Sequence, residues 1–276
     1  DKMLIILSPA KTLNFESPDE TSLPSTEVLF PECADRIVNT VRQLPKARLK
    51  SLMHLSDNLA SLNHRRFHQY QKHTPKSTTS TLSHRKAILA FEGAAYQGLQ
   101  ARTLDASALE YAQETLLMLC GLYGALRPFD LIQPYRLEMG VRLAVDEHRD
   151  LYSVWRTQLT ELVVARAREN AARMGQLHPL LVNLASTEYA KAVDLDAVRA
   201  AGVEVYTMVF RDGGRVVAVY AKKARGLMCR YIFERRISTA AELKGFDLHG
   251  YRFSETLSSQ YSFVFTRTPA AAAAAK

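Results

Sequence analysis

Cysteine is scarce and poorly placed for chemistry: the chain has three, Cys33, Cys120 and Cys229, far apart and odd in number. No CxxC pair occurs, which argues against a zinc ribbon or a disulfide scaffold and predicts free thiols in a reducing, cytoplasmic compartment. No apolar run reaches the roughly 18 residues that span a membrane, and the opening run is too short for a signal peptide. HExxH, an EF-hand loop and GxxxxGK[ST] are all missing, so no metal and no cofactor is expected. His64 and His68 stand at i, i+4, but Arg65 and Arg66 discourage a cation there and no carboxylate or Cys near them completes a ligand set. There is also no repeat and no Gly/Ser linker, which favours one domain.

What is abundant is positive charge, unevenly spread. The 276 residues carry 36 Lys and Arg against 28 Asp and Glu, a net charge of +8. Over 35–76 there are nine basic residues to two acidic, and over 201–276 twelve to six. The start, 1–34, is acidic, with two against six, and the middle is nearly neutral. Two basic walls facing one cleft would give this pattern, and so would two unrelated solvated faces.

Periodicity predicts a mixed chain. Residues 3–7 are an apolar run ending at Ser8-Pro9, the mark of a buried strand entering a loop. Helical patterns follow at 26–43, 46–53 and 57–72, then a strand over 86–91, a short helical turn over 93–99 and a helix over 107–119 with Ser107 as its cap. The segment 121–140 reads as an ordered loop, 149–172 as a long helix and 180–184 as another buried strand. Asp212-Gly213-Gly214 between 203–211 and 215–220 signals a hairpin. A helix over 222–236 and short strands near 251–253 and 261–265 complete the pattern. The fold class is therefore α/β (mixed α+β) with a mixed sheet, one domain over 3–267 and a low-complexity tail over 268–276.

Four groups of residues could carry chemistry. In a helix starting at Lys222, Ala224, Leu227, Met228 and Tyr231 pack inward, while Lys222, Lys223, Arg225, Arg230 and Arg236 lie opposite. Two lysines in a first turn oppose the helix dipole at up to about 1 kcal/mol each, and a bound anion would offset that. Cys229 falls on the basic side, where its pKa could be lowered, or sits inert at the packed edge. Lys46, Lys50, Arg65 and Arg66 flank the turn around His54-Leu55-Ser56, a helix-hairpin-helix-like arrangement suited to a DNA backbone. Its two glycines are replaced by His54 and Ser56, and Ser56 or Asp57 would equally cap an ordinary helix. The 121–140 loop presents Tyr123, Arg127, Tyr135, Arg136 and Glu138 as a ligand-facing surface, unless the arginines simply pair with Asp130 and Glu138. Lys11 and Ser186 each follow a buried strand and Asn183 stands near the end of one, where ligands meet α/β proteins, although Asn183 and Ser186 could just cap a helix.

Ser-Pro-Ala-Lys-Thr-Leu at 8–13, Gly-Leu-Tyr-Gly through Pro-Tyr-Arg-Leu-Glu-Met-Gly at 121–140, Asn-Leu-Ala-Ser at 183–186 and Tyr-Ala-Lys-Lys-Ala-Arg-Gly-Leu-Met at 220–228 resemble, in order, the YaaA family. The resemblance implies a single-domain α/β fold unlike the common superfolds, a basic cleft, a helix-hairpin-helix and DNA binding. It also implies a role in limiting damage by hydrogen peroxide and iron.

The expectation is a non-enzymatic DNA-binding protein of the oxidative-stress response, gripping phosphates with low sequence specificity. The DNA is duplex, distorted or single-stranded, with Tyr123 and Tyr135 stacking on unpaired bases. No membrane partner is expected, and a monomer fits as well as any oligomer. The alternative is an enzyme acting on a nucleotide or nucleobase, with Lys11, Glu138 and Ser186 as candidate catalytic groups. Convergence of these side chains in one deep pocket would favour it.

Overall fold

Leu4–Leu7, Leu116–Cys120 and Leu180–Leu184 are apolar at almost every position and buried at all of them. Strands of this kind belong in the middle of a parallel sheet that is covered on both faces. The computed structural model describes residues 3–17, 21–73, 83–175 and 178–275. Among these a 7-stranded sheet runs Arg252–Ser254, Ser262–Arg267, Glu204–Asp212, Leu180–Leu184, Leu4–Leu7, Leu116–Cys120, Gly124–Leu126. Ser262–Arg267 through Leu116–Cys120 pair in parallel, and an antiparallel strand closes each edge.

The order of connection makes a crevice. From Leu4–Leu7 the chain goes to Leu116–Cys120 on one side, and from Leu180–Leu184 it goes to Glu204–Asp212 on the other. Neighbouring parallel strands whose connections leave in opposite directions open a gap at their carboxyl ends, where α/β proteins bind ligands. The loops beginning at Ser8 and Ala185 meet there.

Helices cover the sheet. Leu151–Ala172 is capped by Asp150, whose Oδ1 accepts from the Ser153 amide at 2.8 Å, and Trp155 on it donates to the Gly121 carbonyl at 2.9 Å. Ala218–Arg235 crosses the short helix Ala94–Leu99 with backbones nearly touching. A Cβ added at Gly226 would lie 1.6 Å from the Ala95 carbonyl oxygen, and one at Gly98 would lie 2.3 Å from that of Lys223.

Several sequence expectations are corrected. The 107–119 pattern is two elements: Asp105, not Ser107, caps the helix Ala106–Thr115, and Leu116–Cys120 is a strand. Its run of apolar residues fits a core strand as well as a helix. The strand expected over 86–91 is a helical turn, Ala87–Ala90, between two-residue strands. The helix expected from 26 begins at Pro31, and the 121–140 loop contains the strands Gly124–Leu126 and Leu131–Ile132. Gly213 and Gly214 do take positive φ, 57° and 86°, and the turn closes by Asp212 and Arg215 exchanging backbone bonds. No hairpin follows, because the chain turns at once into Ala218–Arg235, and Glu204–Asp212 pairs instead with Ser262–Arg267. In the tail, Pro269–Ala274 is a helix capped by Thr268, while Lys276 lies outside the described residues.

Candidate functional site

The crevice beyond Leu4–Leu7 and Leu180–Leu184 opens into a cavity of about 300 Å³, at the small end of ligand-sized cavities. Ser8–Thr12 lines it from the first loop, Ser186, Glu188 and Tyr189 from the second, and Lys222 and Arg225 from the helix Ala218–Arg235. Glu92 to Tyr96 forms a further wall. Three candidates from distant parts of the sequence, Lys11, Ser186 and Lys222, meet here together with Arg225.

Hydrogen bonds hold the walls in place. Ser8 Oγ accepts from the Ser186 amide at 2.8 Å and donates to Ser186 Oγ at 3.2 Å, while Tyr96 donates its hydroxyl to the Ser8 carbonyl at 2.8 Å. Ser186 precedes the short helix Thr187–Ala190 without capping it, so its hydroxyl faces Ser8. Behind the second loop, the Gly140 amide donates to Glu188 Oε2 at 3.1 Å. Burial pushes the Tyr189 hydroxyl pKa up, so it stays protonated.

The 136–140 segment adds charge beside this cavity. Glu138 Oε1 lies 3.3 Å from Arg136 and 3.6 Å from Lys11 Nζ. Arg66, on the helix Asp57–Gln69, lies close enough to Arg136 that its pKa falls, first through burial and then through that like charge. Burial also lowers the pKa of Arg225. Neither Arg66 nor Arg225 has a carboxylate partner among the described residues. Desolvated, unpaired cations of this kind mark places where an anionic ligand would be held.

Other candidates do structural work or lie elsewhere. Tyr123 and Tyr135 are corrected: they are 0% and 4% exposed, so neither can stack on a base. The Tyr123 hydroxyl accepts from the Gln133 amide, and the Tyr135 hydroxyl meets Cys120 Sγ at 2.8 Å. Arg127 pairs with buried Asp130 at 2.9 Å and donates to the Glu27 carbonyl. Arg230 is tied to the Leu99 and Gln100 carbonyls, to Thr103 and to Glu234, and Arg236 to Ser107. Asn183 is buried and accepts from the Ala185 amide, while also edging a second cavity of about 620 Å³ with Arg225. Lys223 lies by His249 and does not line the 300 Å³ cavity.

The helix carrying the lysines begins at Ala218, four residues earlier than its expected start, so Lys222 and Lys223 sit in the second turn, away from free amides. An anion at that helix end is therefore not what they serve. Cys229 is fully buried and its pKa is raised by desolvation, the opposite of an activated thiol.

The helices Lys46–Met53 and Asp57–Gln69 form a tight pair. His54 adopts a left-handed φ of 54°, a conformation usually left to glycine, and Ser56 Oγ caps the second helix by accepting from the Leu59 amide at 3.2 Å. Lys50 is paired with Asp57 at 2.6 Å, leaving Lys46, Arg48 and Arg65 as exposed cations of this pair.

Sequence reasoning missed Ser8, Glu92, Tyr96 and Tyr189 as cavity residues. A signal for two of them was present: Ser8 and Tyr189 lie within five residues of the ends of the two buried strands that flank the crevice. Among the described residues no group of three or more His, Cys, Asp or Glu could hold a metal ion, and no helix is long and apolar enough to cross a membrane.

A family model described as "Peroxide stress protein YaaA" matches residues 3–257. Curated relatives carry the name "UPF0246 protein". One from Caulobacter vibrioides (strain NA1000 / CB15N) is 45% identical over 269 residues, covering 96% of this chain and 99% of its own length. One from Albidiferax ferrireducens is 42% identical, covering 96% and 98%. One from Delftia acidovorans is 41% identical, covering 97% and 100%.

Proposed function

Because the chain belongs to the peroxide stress protein YaaA family, we propose that it acts in the peroxide stress response by binding DNA, through phosphates, along a path from the 46–66 helices to the strand-end cavity. The observation that carries this reading is a continuous series of cations drawn from both basic stretches. Arg66 lies within electrostatic reach of Arg136, Arg136 shares Glu138 with Lys11, and Lys11 shares the cavity with Lys222 and Arg225. Glu138 and the cavity-wall carboxylates Glu92 and Glu188 offset three of these five cations, which leaves the series net positive. A polyanion would neutralise it and release counterions, and no sequence-reading element is needed. Limiting damage where peroxide and iron meet DNA is the role this binding would serve.

The test is binding of duplex, single-stranded and bubble DNA across a range of salt, with Lys222→Glu and Lys46→Glu beside the parent. The parent is expected to lose affinity steeply with salt, and each substitution to lower the log–log slope by about 1. No binding, or slopes that ignore both substitutions, would sink the reading.

A second reading has one specific support. Lys11, Ser186 and Glu188 line one cavity, with Glu138 against Lys11, which gives an acid–base set more varied than phosphate binding needs. An enzyme acting on a nucleotide would turn over substrate in a screen of nucleotides, and Ser186→Ala or Lys11→Met would abolish that turnover.

A further inference from the structure

Glu138 is out of place in a site that holds only phosphate. A phosphodiester offers acceptors and no donor, so it has nothing to give a carboxylate, and the two charges repel. Yet Glu138 sits among Lys11, Arg136 and, one step on, Arg66. Its Oε1 is occupied by Arg136 and Lys11. Its Oε2 is buried and, among the described residues, has no hydrogen-bond partner; the same is true of Arg136 Nε. A buried polar atom without a partner is uncommon and costly, and two on adjacent, ion-paired side chains call for a common cause.

One acceptor and one donor without partners are satisfied together by a planar group that presents a donor beside an acceptor, which reaches these sealed atoms once the Arg136–Glu138 pair swings outward. Every nucleobase has such an edge, whereas phosphate and sulfate do not. We propose that Arg136 and Glu138 together bind the edge of an unpaired nucleobase beside Lys11. Arg136 Nε–H donates to a ring nitrogen or carbonyl oxygen, and Glu138 Oε2 accepts from a ring or exocyclic N–H. The inference rests on the nucleic-acid reading above for the strand that carries the base.

The placement fits a whole nucleotide. Lys11 belongs both to the ion pair and to the cavity wall, and Gly140, two residues beyond Glu138, donates to the cavity residue Glu188. With its base on Arg136 and Glu138, a nucleotide would direct its phosphate past Lys11 into the cavity that Lys222 and Arg225 also line. A base pair occupies the Watson–Crick edge, so an unpaired or extruded base is needed to offer that one, while paired adenine keeps only N7 beside N6–H in the major groove.

The experiment titrates the purified protein with 2-deoxyribose 5-phosphate and with the deoxynucleoside 5′-monophosphates of the common bases. At least one base-bearing ligand is expected to bind about tenfold tighter than the sugar phosphate, the scale of a good two-bond base contact. Glu138→Gln is expected to remove most of that ratio. Equal affinities for the base-bearing and base-free ligands in the parent protein would overturn the proposal, a comparison that needs no variant to fold. Bubble DNA and the same bubble made abasic then separate the two readings. Salt-sensitive binding to both with no preference overturns the base contact and leaves DNA binding standing. Mononucleotide preference without any DNA binding overturns the DNA reading and leaves the base contact standing.

Discussion

Ser8 and Ser186, 178 residues apart, are joined twice: the Ser186 amide donates to Ser8 Oγ at 2.8 Å, and the two hydroxyls meet at 3.2 Å. The bond fastens the loop after Leu4–Leu7 to the loop after Leu180–Leu184, so the spacing of the cavity walls depends on it. Ser8→Ala leaves the Ser186 amide without its partner and is expected to cost about 1–3 kcal/mol. Denaturant melts measure that cost. A weakened affinity for DNA or nucleotides, beyond what partial unfolding explains, would show that the spacing matters for binding.

Gly226 admits the closest backbone approach among the described glycines, with an added Cβ 1.6 Å from the Ala95 carbonyl oxygen. Neither atom can swing aside, since both belong to helices. Gly226→Ala is expected to destabilise by about 3 kcal/mol or more, the upper end of overpacking costs. Because Ala95 and Arg225 both line the cavity, the substitution is also expected to weaken ligand binding. A melting temperature equal to the parent's would contradict this packing.

The three thiols give a pH prediction. Cys120 is completely buried and its pKa is pushed up to about 11, chiefly by desolvation. A thiol raised in the fold stays protonated there while the unfolded chain loses its proton, so its contribution to stability is full below the unfolded pKa and is lost as pH rises towards 11. Stability is therefore expected to fall from about pH 9 upward, and Cys120→Ala to flatten part of that fall. Titration with a thiol reagent checks the burial: the native protein should react slowly at all three cysteines, and the unfolded protein quickly.

Much of this arrangement was legible in the sequence, for physical reasons that can be named. Leu4–Leu7 and Leu180–Leu184 are apolar on both faces, so their place in the sheet and the importance of the loops after them follow from pattern alone. Lys11 and Ser186 were found that way. Which cations are spent was not legible. Arg230 lies on the basic side of its helix by angle, yet it binds carbonyls of residues 99 and 100, far away in the chain. Arg127 and Arg136 each pair with the carboxylate near them in sequence, at 2.9 and 3.3 Å, but Asp130 is fully buried with its oxygens bonded while Glu138 keeps one oxygen without a partner among the described residues. Such differences arise from tertiary packing, to which local spacing is blind.

Arg230→Ala separates structural cations from binding ones. Arg230 holds the end of the Ala94–Leu99 helix and the turn at Thr103, and it pairs with Glu234 at 2.6 Å. Its loss is expected to cost about 1–3 kcal/mol of stability by leaving those acceptors unmade. The salt slope of DNA binding should stay at the parent's value. A slope lowered as much as by Lys222→Glu would place DNA across the Leu99–Thr103 surface and redirect the path proposed for it.

Tyr123 and Tyr135 test the same distinction for aromatics. Their rings stand edge to face, 5.5 Å between centroids, and both are sealed from solvent. The Tyr123 hydroxyl accepts from the Gln133 amide at 3.0 Å, which Tyr123→Phe would leave unpaired in the core at a cost of about 1–3 kcal/mol. Tyr135→Phe removes only the contact with Cys120 Sγ, a weak partner, and should cost less. Neither substitution should alter affinity for single-stranded or bubble DNA at temperatures well below the melt. A loss of about 1–3 kcal/mol in that affinity, the size of a base–aromatic stack, would mean that the 121–140 segment opens to expose these rings on binding.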